Sequence, residues 1–306
     1  MIALGIDTSN YTTSAALYNG GTDEMISRRR LLTVKAGELG LRQSEAVFQH
    51  TLALPEIIGD VFTQTSLRPQ AIAVSVSPCD SEGSYMPCFM CGKGTAESMA
   101  AAFGVPVRFF SHQAGHIAAA LWSAGRTDLI GRTFLAFHVS GGTTEAVLVE
   151  PDKKKIFRAE KKAGSLDLKA GQAVDRVGRM LGLSFPAGAA LDALSRKSER
   201  KFKIRPSMKD GSCSLSGLEN RCKQMADSGE APEDVANYCI SYICAALAAM
   251  TDSLLAQYGD LPLVFSGGVT SNSLMRERFR AAYGAVFAEK GLASDNAAGL
   301  AYLGTI

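Results

Sequence analysis

The chain has 306 residues, of which 46% are hydrophobic and 20% are charged, and its formal net charge is +2. This composition is typical of a soluble globular protein, and the length favours two domains of about 150 residues each. The small net charge excludes nucleic-acid binding through overall charge, so any such binding must depend on a local basic patch. The longest apolar run, near residues 240–250, is too short to span a bilayer, and we predict no membrane partner.

The cysteine content indicates a reducing compartment. Seven cysteines are an odd number, and no basic region followed by an apolar run opens the chain, so we expect no signal peptide and a cytoplasmic location. Cys88 and Cys91 have C-x-x-C spacing, with Cys79 close by in sequence. A zinc site needs a second pair at a suitable spacing, which the sequence lacks. The pattern therefore favours ordinary reduced thiols.

Three strand-and-polar-turn units occur along the chain, at residues 2–18, 134–150 and 263–272. In the second unit, two adjacent glycines lie between Ser140 and Thr143, where the backbone can approach a ligand without a Cβ clash. Backbone N–H groups and the hydroxyls of Ser140, Thr143 and Thr144 can then face a phosphate. The alternative is an ordinary Gly-Gly hairpin turn. Together the three units favour one cleft served by both halves of the chain.

Asp7 ends the first apolar strand, where carboxylates of nucleotide sites often hold Mg²⁺ or its waters; an Asx-turn is the alternative. The pattern also predicts further helices and strands, which are, in chain order, a helix at 44–62 capped by Ser44, a buried strand at 71–77, a helix at 94–103, a strand at 105–110, a helix at 167–183, a turn into a helix at 212–225 and a core helix at 232–258. A polar linker at 125–131 precedes a hairpin that parallels the first one. We therefore predict an internal duplication, with domains at 1–128 and 129–306.

His112 and His116 are four residues apart, so on a helix their imidazoles share one face and can bind one metal ion. The alternative is a hydrogen-bonded histidine pair. No glutamate stands at the H-E-x-x-H position, which argues against a zincin-like protease. Asp295 offers a third ligand, and nitrogen and carboxylate ligands together suit Fe²⁺ or Zn²⁺ better than Mg²⁺.

The most basic stretch is 196–209, with seven Lys or Arg residues against one Glu. It can contact a phosphate backbone, or it is a solvated linker.

Six ordered sequence blocks resemble the TsaD/Gcp family of tRNA threonylcarbamoyladenosine transferases, once labelled O-sialoglycoprotein endopeptidases. The blocks are HQAGH, HVSGGTTE, AVDRVGRMLGLSFPAG, SLSGLENRC, SGGVTSN and SDNAAGLAY. The resemblance implies the α/β actin/Hsp70/sugar-kinase (ASKHA) fold, with two duplicated α/β domains around a nucleotide cleft. Its first subdomain would carry the metal-binding histidines and its second the nucleotide-binding loops.

The resemblance also implies a ligand set. The metal, Fe²⁺ with Zn²⁺ as the alternative, maps onto His112, His116 and Asp295. The ligand, an adenine nucleotide or threonylcarbamoyl-adenylate, maps onto the family's ligand-binding positions, and we include Thr143 because it adjoins them in the turn. The residues are His138, Val139, Ser140, Gly141, Gly142, Thr143, Asp175, Gly188 and Asn272. The expected partners are tRNA and TsaB-like and TsaE-like proteins.

Two departures from the family pattern affect the functional prediction. Tyr11 and Thr12 stand where the family has acidic residues, and Ser77-Pro78-Cys79-Asp80 replaces a Gly-Pro-Gly loop. The predicted function is transfer of the threonylcarbamoyl group to N6 of the adenine next to the tRNA anticodon, with Asp7 as the catalytic carboxylate. The alternative is a diverged paralogue that binds nucleotide and metal as a scaffold subunit. A metalloprotease is the weakest alternative, because no general-base glutamate accompanies the histidines.

Overall fold

The computed structural model describes residues 1–9, 11–34, 41–289 and 296–306, so Asn10 and the predicted metal ligand Asp295 lie outside the described residues. The protein forms two compact units. The first unit comprises Met1–Arg132, Glu150–Glu160 and Gly291–Ile306, and the second comprises Thr133–Val149 and Lys161–Lys290. The first unit thus includes two segments that lie well beyond residue 128 in the chain.

The strands of the described residues are, in chain order, β1 (Ile2–Ser9), β2 (Thr12–Asn19), β3 (Glu24–Leu31), β4 (Ala71–Ser77), β5 (Val107–Ser111), β6 (Phe134–Val139), β7 (Thr144–Asp152), β8 (Ile156–Gly164), β9 (Ser207–Lys209), β10 (Ser212–Ser214), β11 (Leu263–Ser266) and β12 (Val286–Phe287). The α-helices are α1 (Gln43–Phe62), α2 (Phe89–Phe103), α3 (His112–Ser123), α4 (Ala170–Met180), α5 (Gly188–Ser195), α6 (Ser216–Asp227), α7 (Pro232–Tyr258), α8 (Ser273–Tyr283) and α9 (Asn296–Leu303).

The first unit is built on a five-stranded sheet with the order β3-β2-β1-β4-β5. The strands β1, β2 and β3 pair antiparallel, whereas β4 pairs in parallel with β1 and β5. Leu4 and Leu17 pack with α1 and α2 on one face, and Ala16 and Tyr18 pack with α9 on the other. Because helices cover both faces, β1 and β2 are buried throughout their middles and are not alternately polar.

A second five-stranded sheet, with the order β12-β11-β6-β7-β8, forms the second unit. The strands β6 and β7 pair antiparallel from Phe134↔Val149 to Val139↔Thr144, which confirms the predicted hairpin. The strand β11 pairs in parallel with β6 and β12. The helix α7 supplies much of the core under this sheet, where the rings of Phe137 and Phe265 stack at 4.5 Å.

The predicted core helix at 232–258 matches α7 at both ends, and the predicted strand at 71–77 matches β4. By length and composition α7 could also cross a membrane, which corrects the expectation that no stretch is long enough. However, 61% of its most apolar stretch is buried inside the protein, as in the core helix of a soluble domain. All seven cysteines lie in the described residues, and none of them is in a disulfide bond.

Several predicted boundaries were wrong. Arg42 precedes α1 in an extended conformation, so Ser44 lies inside the helix and does not cap it. The helix α2 begins at Phe89, five residues before the predicted start, and therefore includes Cys91. The strand β5 begins two residues later than predicted. The helix α4 begins only at Ala170, because the Asp167 carboxylate holds a turn by accepting hydrogen bonds from the N–H groups of Leu168 and Leu215, both at 2.7 Å.

Candidate functional site

Asp7 lies at the centre of a buried polar cluster in the first unit. Since β1 and β4 run in parallel, Ser75 comes to lie beside Asp7, and its Oγ donates to Asp7 Oδ1 at 2.6 Å. The same carboxylate oxygen lies 2.9 Å from His112 Nδ1, and the Ser9 N–H donates to the other oxygen at 3.3 Å. Burial alone would raise the pKa of Asp7, but the adjacent His112 and the hydrogen bonds from Ser75 and Ser9 outweigh it and lower the pKa. Asp7 is therefore an ionised carboxylate that orients His112.

This contact determines which nitrogen of His112 is left for another partner. An ionised carboxylate only accepts hydrogen bonds, so Nδ1 carries the proton and Nε2 keeps its lone pair in the neutral ring. Within the described chain, Nε2 lies 3.4 Å from Nδ2 of Asn296. A carboxylate on one imidazole nitrogen is the usual arrangement when the other nitrogen binds a metal ion.

His116 lies one helical turn after His112, and the two rings are 4.6 Å apart at 72°. The helix α3 begins directly after β5, with Ser111 Oγ accepting a hydrogen bond from the Ala114 N–H at 3.2 Å, so both histidines lie close to the end of the sheet. The predicted shared helix face is confirmed.

The histidine pair fits two ligands of a metal ion. Two adjacent imidazoles, one of them oriented by a carboxylate, form a donor set that suits Fe²⁺ or Zn²⁺. The described residues contain no group of three potential protein ligands, and the third predicted ligand, Asp295, lies outside them. The helix α9, which begins at Asn296, packs on α3 at backbone distance: a Cβ on Gly115 would come within 3.0 Å of the Asn296 carbonyl oxygen.

In the second unit, the Ser140–Thr143 turn is closed by its own hydrogen bonds. The Ser140 N–H donates to the Thr143 carbonyl at 2.7 Å, and the Thr143 N–H donates to Ser140 Oγ at 3.1 Å. Gly141 and Gly142 are exposed, and a Cβ on either would meet only open space. A ligand can therefore approach the backbone at these two glycines, as the sequence predicts.

The Thr144 hydroxyl corrects part of this prediction. It accepts a hydrogen bond from the first N–H of α4, at Ala170 and 2.9 Å, so it is committed to the fold and does not face a phosphate. The next N–H, at Gly171, donates to the Ser140 carbonyl at 3.1 Å. Helix α4 thus uses its first two N–H groups to hold the turn. The contact is so close that a Cβ on Gly171 would lie 2.6 Å from the Gly141 nitrogen.

His138 and Val139 lead into this turn. His138 Nδ1 lies 3.0 Å from Ser266 Oγ, because β6 and β11 pair in register at these two residues. The Val139 side chain is fully buried, so only its backbone could contact a ligand. Gly267 has φ of +95° and lies against the Val139 backbone, where a Cβ would clash with the carbonyl.

The remaining predicted nucleotide residues meet around α5. Asp175 Oδ1 accepts a hydrogen bond at 2.9 Å from the N–H of Ala187, the residue before Gly188. Asn272 caps the start of α8, since its Oδ1 accepts a hydrogen bond from the Met275 N–H at 2.9 Å. The structure thus brings Asp175, Gly188 and Asn272 together at one helix.

Sequence reasoning missed Asp192, which connects α5 to α8. Its carboxylate accepts hydrogen bonds from Asn272 Nδ2 at 2.9 Å and from the Ser273 N–H at 3.1 Å and hydroxyl at 2.8 Å. The available signal was an acidic residue one turn after Gly188 in a short helix. The link to Asn272 was not visible, because the two residues are 80 positions apart.

The two departures from the family pattern have defined places. Tyr11 is 45% exposed beside the β1–β2 turn, and Thr12 begins β2 opposite Ser9. The side chain of Asp80 is nearly buried and pairs with Lys155 Nζ at 3.0 Å. The replaced loop is therefore held by an ion pair.

Comparison with solved structures defines the class of fold. HypF from T. kodakarensis superposes with a TM-score of 0.62 at 14% identity, over 99% of this chain and 47% of that chain. A ROK family glucokinase from Streptomyces griseus superposes with a TM-score of 0.56 at 12% identity, over 100% and 99% of the two chains. The protein therefore has the two-domain α/β fold of the actin/Hsp70/sugar-kinase class, which confirms the predicted fold.

Sequence comparison then identifies the family. The model of TsaD, tRNA N6-adenosine threonylcarbamoyltransferase, matches residues 30–302, and the chain belongs to this family. An enzyme of this name from Thermus thermophilus is 30% identical over 312 residues, which cover 98% of this chain and 91% of the relative. The one from Archaeoglobus fulgidus is 26% identical over 312 residues, covering 100% and 91%. Members of the family are tRNA-modifying transferases.

Proposed function

We propose that the protein transfers the threonylcarbamoyl group of threonylcarbamoyl-adenylate to N6 of the adenine next to the anticodon in tRNA. The observation that carries this proposal is the buried Asp7 carboxylate on His112, with the His116 ring beside it at 4.6 Å. The family match supports a tRNA-modifying transferase. In the reaction, the adenine amine forms a bond to the carbamoyl carbon and loses a proton, while the bond from that carbon to the phosphate oxygen breaks and AMP leaves.

The proposed cofactor is Fe²⁺, with Zn²⁺ as the alternative, held by His112, His116 and Asp295; when bound, it would polarise the carbamoyl carbonyl. We propose a positioning role for Asp7. It is fully buried, and its two oxygens accept from Ser75, His112 and Ser9, which leaves little capacity for proton transfer to a substrate. Its contribution is to keep the Nε2 lone pair of His112 directed away from the carboxylate.

The adenylate part of the donor is proposed to bind the second unit, along the Ser140–Thr143 turn, Asp175, Gly188 and Asn272. The exposed backbone of Gly141 and Gly142 supports contact with the phosphate. Asn272 uses one amide hydrogen on Asp192 and one lone pair on the Met275 N–H. Its second hydrogen and second lone pair can therefore bind the ribose or the base.

The proposed partners are tRNA and the TsaB-like and TsaE-like proteins. A surface that supports a protein partner lies on α1, where Phe48 and Leu52 are one turn apart and 57% and 58% exposed. Apolar side chains of this size at adjacent turns form the kind of helix face that packs against another protein.

The second candidate function is a scaffold subunit that binds nucleotide and metal without catalysis. It is favoured by Tyr11 and Thr12, because neither side chain is a carboxylate, the group that the family pattern has at these positions for acid–base work. The buried position of Asp7 favours it for the same reason.

One reaction distinguishes the two functions. The protein is incubated with threonine, bicarbonate, ATP, a threonylcarbamoyl-adenylate synthase and unmodified tRNA, with and without the TsaB-like and TsaE-like proteins, and the nucleosides are analysed by mass spectrometry. A transferase produces the modified nucleoside, either alone or with these partners. If none forms even with the partners present, the transferase proposal is wrong and the scaffold function stands.

Metal binding has its own test. We expect about one transition metal ion per chain after anaerobic purification, measured by elemental analysis. The His112→Ala/His116→Ala variant should lose the metal, whereas His138→Ala, a histidine change in the other unit, should keep it. Equal metal content in the wild type and the double variant would show that the pair is a hydrogen-bonded structural feature.

A further inference from the structure

Residues 201–209, which end in strand β9, form a segment with two different sides. Exposure alternates with a period of two, so every second side chain points to solvent. Phe202, Ile204 and Met208 face inward and pack against the core of the second unit. The cations of the outer side form what we call the basic row, which consists of Lys201, Lys203, Arg205 and Lys209.

The helix α7 holds the inward side of this segment in place. The Phe202 ring packs edge-on against Tyr238 at 5.2 Å. Asn237 Nδ2 donates to the Arg200 carbonyl at 2.8 Å, and the Ser207 N–H donates to the Tyr242 hydroxyl at 3.2 Å. Both the backbone and the inward side chains are therefore fixed, so the basic row is held in place before any partner binds.

The other arginines of the basic stretch are used within the fold. Arg200 pairs with Glu230 and Asp234, and Arg196 lies 3.5 Å from Glu277. In contrast, no cation of the basic row has an ion pair among the described residues. Within residues 196–209, the cations without an ion pair in the described chain are therefore the four of the basic row and Lys197.

We propose that the basic row binds the phosphate backbone of RNA. That this RNA is tRNA rests on the proposed function. Lys201, Lys203 and Arg205 are alternate residues, which are about 6.6 Å apart in an extended chain, a spacing close to that of successive phosphates along one RNA strand. Lys209 follows Arg205 after two such steps. The apolar side chains of the segment itself, Phe202, Ile204 and Met208, are turned toward the core and do not lie beside the cations on the outer side. That arrangement argues against insertion into a membrane surface, which needs exposed apolar side chains beside the cations.

The test compares three variants of the full-length protein. The first changes all four cations of the basic row to Gln. A matched control changes four other exposed cations to Gln, all without an ion pair in the described chain, namely Lys153, Lys154, Arg158 and Lys223. The third is Arg196→Gln/Arg200→Gln. Binding of an unmodified tRNA transcript is measured across a range of KCl concentrations, with thermal melting to show that each variant is folded.

Each lost phosphate contact should make the slope of log K against log salt less steep by about 0.7–0.9, so the basic-row variant should lose roughly 3 in slope. Its affinity at physiological salt should fall at least tenfold, as expected from that slope. The matched control and Arg196→Gln/Arg200→Gln should keep the wild-type slope, although the latter should melt at a lower temperature.

Three outcomes would overturn the inference. The first is a wild-type slope in the basic-row variant, and the second is an equal loss in the matched control. The third is that the wild type binds phosphatidylserine vesicles or polyglutamate but not tRNA, and that this binding is lost in the basic-row variant. If the wild type modifies tRNA while the basic-row variant keeps its slope, only the inference fails. If the wild type neither binds nor modifies tRNA with its partners present, the proposed function fails as well.

Discussion

Replacing Asn272 separates its structural role from its proposed ligand role. The side chain is 7% exposed and makes two hydrogen bonds, one from the Met275 N–H and one to Asp192, both at 2.9 Å. Losing the helix cap costs about 1 kcal/mol. A hydrogen bond to a charged group contributes about 1.5–3 kcal/mol, and we take the lower end because Asp192 keeps both donors of Ser273. Asn272→Ala should therefore destabilise the second unit by about 2–3 kcal/mol.

The matched variant is Asn272→Ser, whose hydroxyl can still cap α8 but cannot reach Asp192. It should lose only the hydrogen bond to Asp192, which contributes about 1.5 kcal/mol. Hydrogen exchange over residues 273–283 measures the stability of α8. The only tryptophan, Trp122, lies in the first unit, so its fluorescence serves as an internal control that should not change. Wild-type protection of α8 in Asn272→Ala would refute this reasoning.

The same two variants test the nucleotide site. Calorimetry with an adenine nucleotide should show binding weaker by about 1–2 kcal/mol in both folded variants, because each loses a hydrogen bond to the ligand. If both bind with wild-type affinity, Asn272 has only its structural role.

Three further perturbations have defined outcomes. Gly171→Ala should destabilise the second unit by about 1–3 kcal/mol in urea melts, because its Cβ would press on Gly141. The control is Gly217→Ala, at the second position of α6, where the Cβ would meet open space; it should be neutral or stabilising in the same assay. Burial alone would raise the pKa of Asp167, but hydrogen bonds from residues 216, 215 and 168 outweigh it and lower the pKa. Its contribution to stability is therefore fully present above the ordinary pKa of 3.8 and is lost as the pH falls through the lowered pKa. The difference in unfolding free energy between wild type and Asp167→Asn, measured in urea melts, should therefore narrow as the pH falls below 3.8, and a constant difference would contradict this. Asp7→Asn should weaken metal binding about 10–100-fold, measured by competition with a chelator, since the carboxylate orients a ligand; unchanged affinity would remove that role.

Local patterns in the sequence were sufficient for several elements. The hairpin of β6 and β7 follows from β-branched runs around a Gly-Gly turn, and α7 starts with Pro232 and ends before Gly259, which has φ of +88°. The shared face of His112 and His116 follows from the helical period. Each of these features depends on residues a few positions apart, so the sequence contains the whole signal.

Other features depend on which elements pack together. The contact between Asp7 and His112 joins residues 105 positions apart, and it forms because β4 and β5 bring the start of α3 to the end of β1. Arg200 and Lys201 carry the same charge, but only Arg200 forms ion pairs with Glu230 and Asp234. Strand order and helix packing determine which distant residues become hydrogen-bond or ion-pair partners, and the spacing of neighbouring residues does not predict either of them.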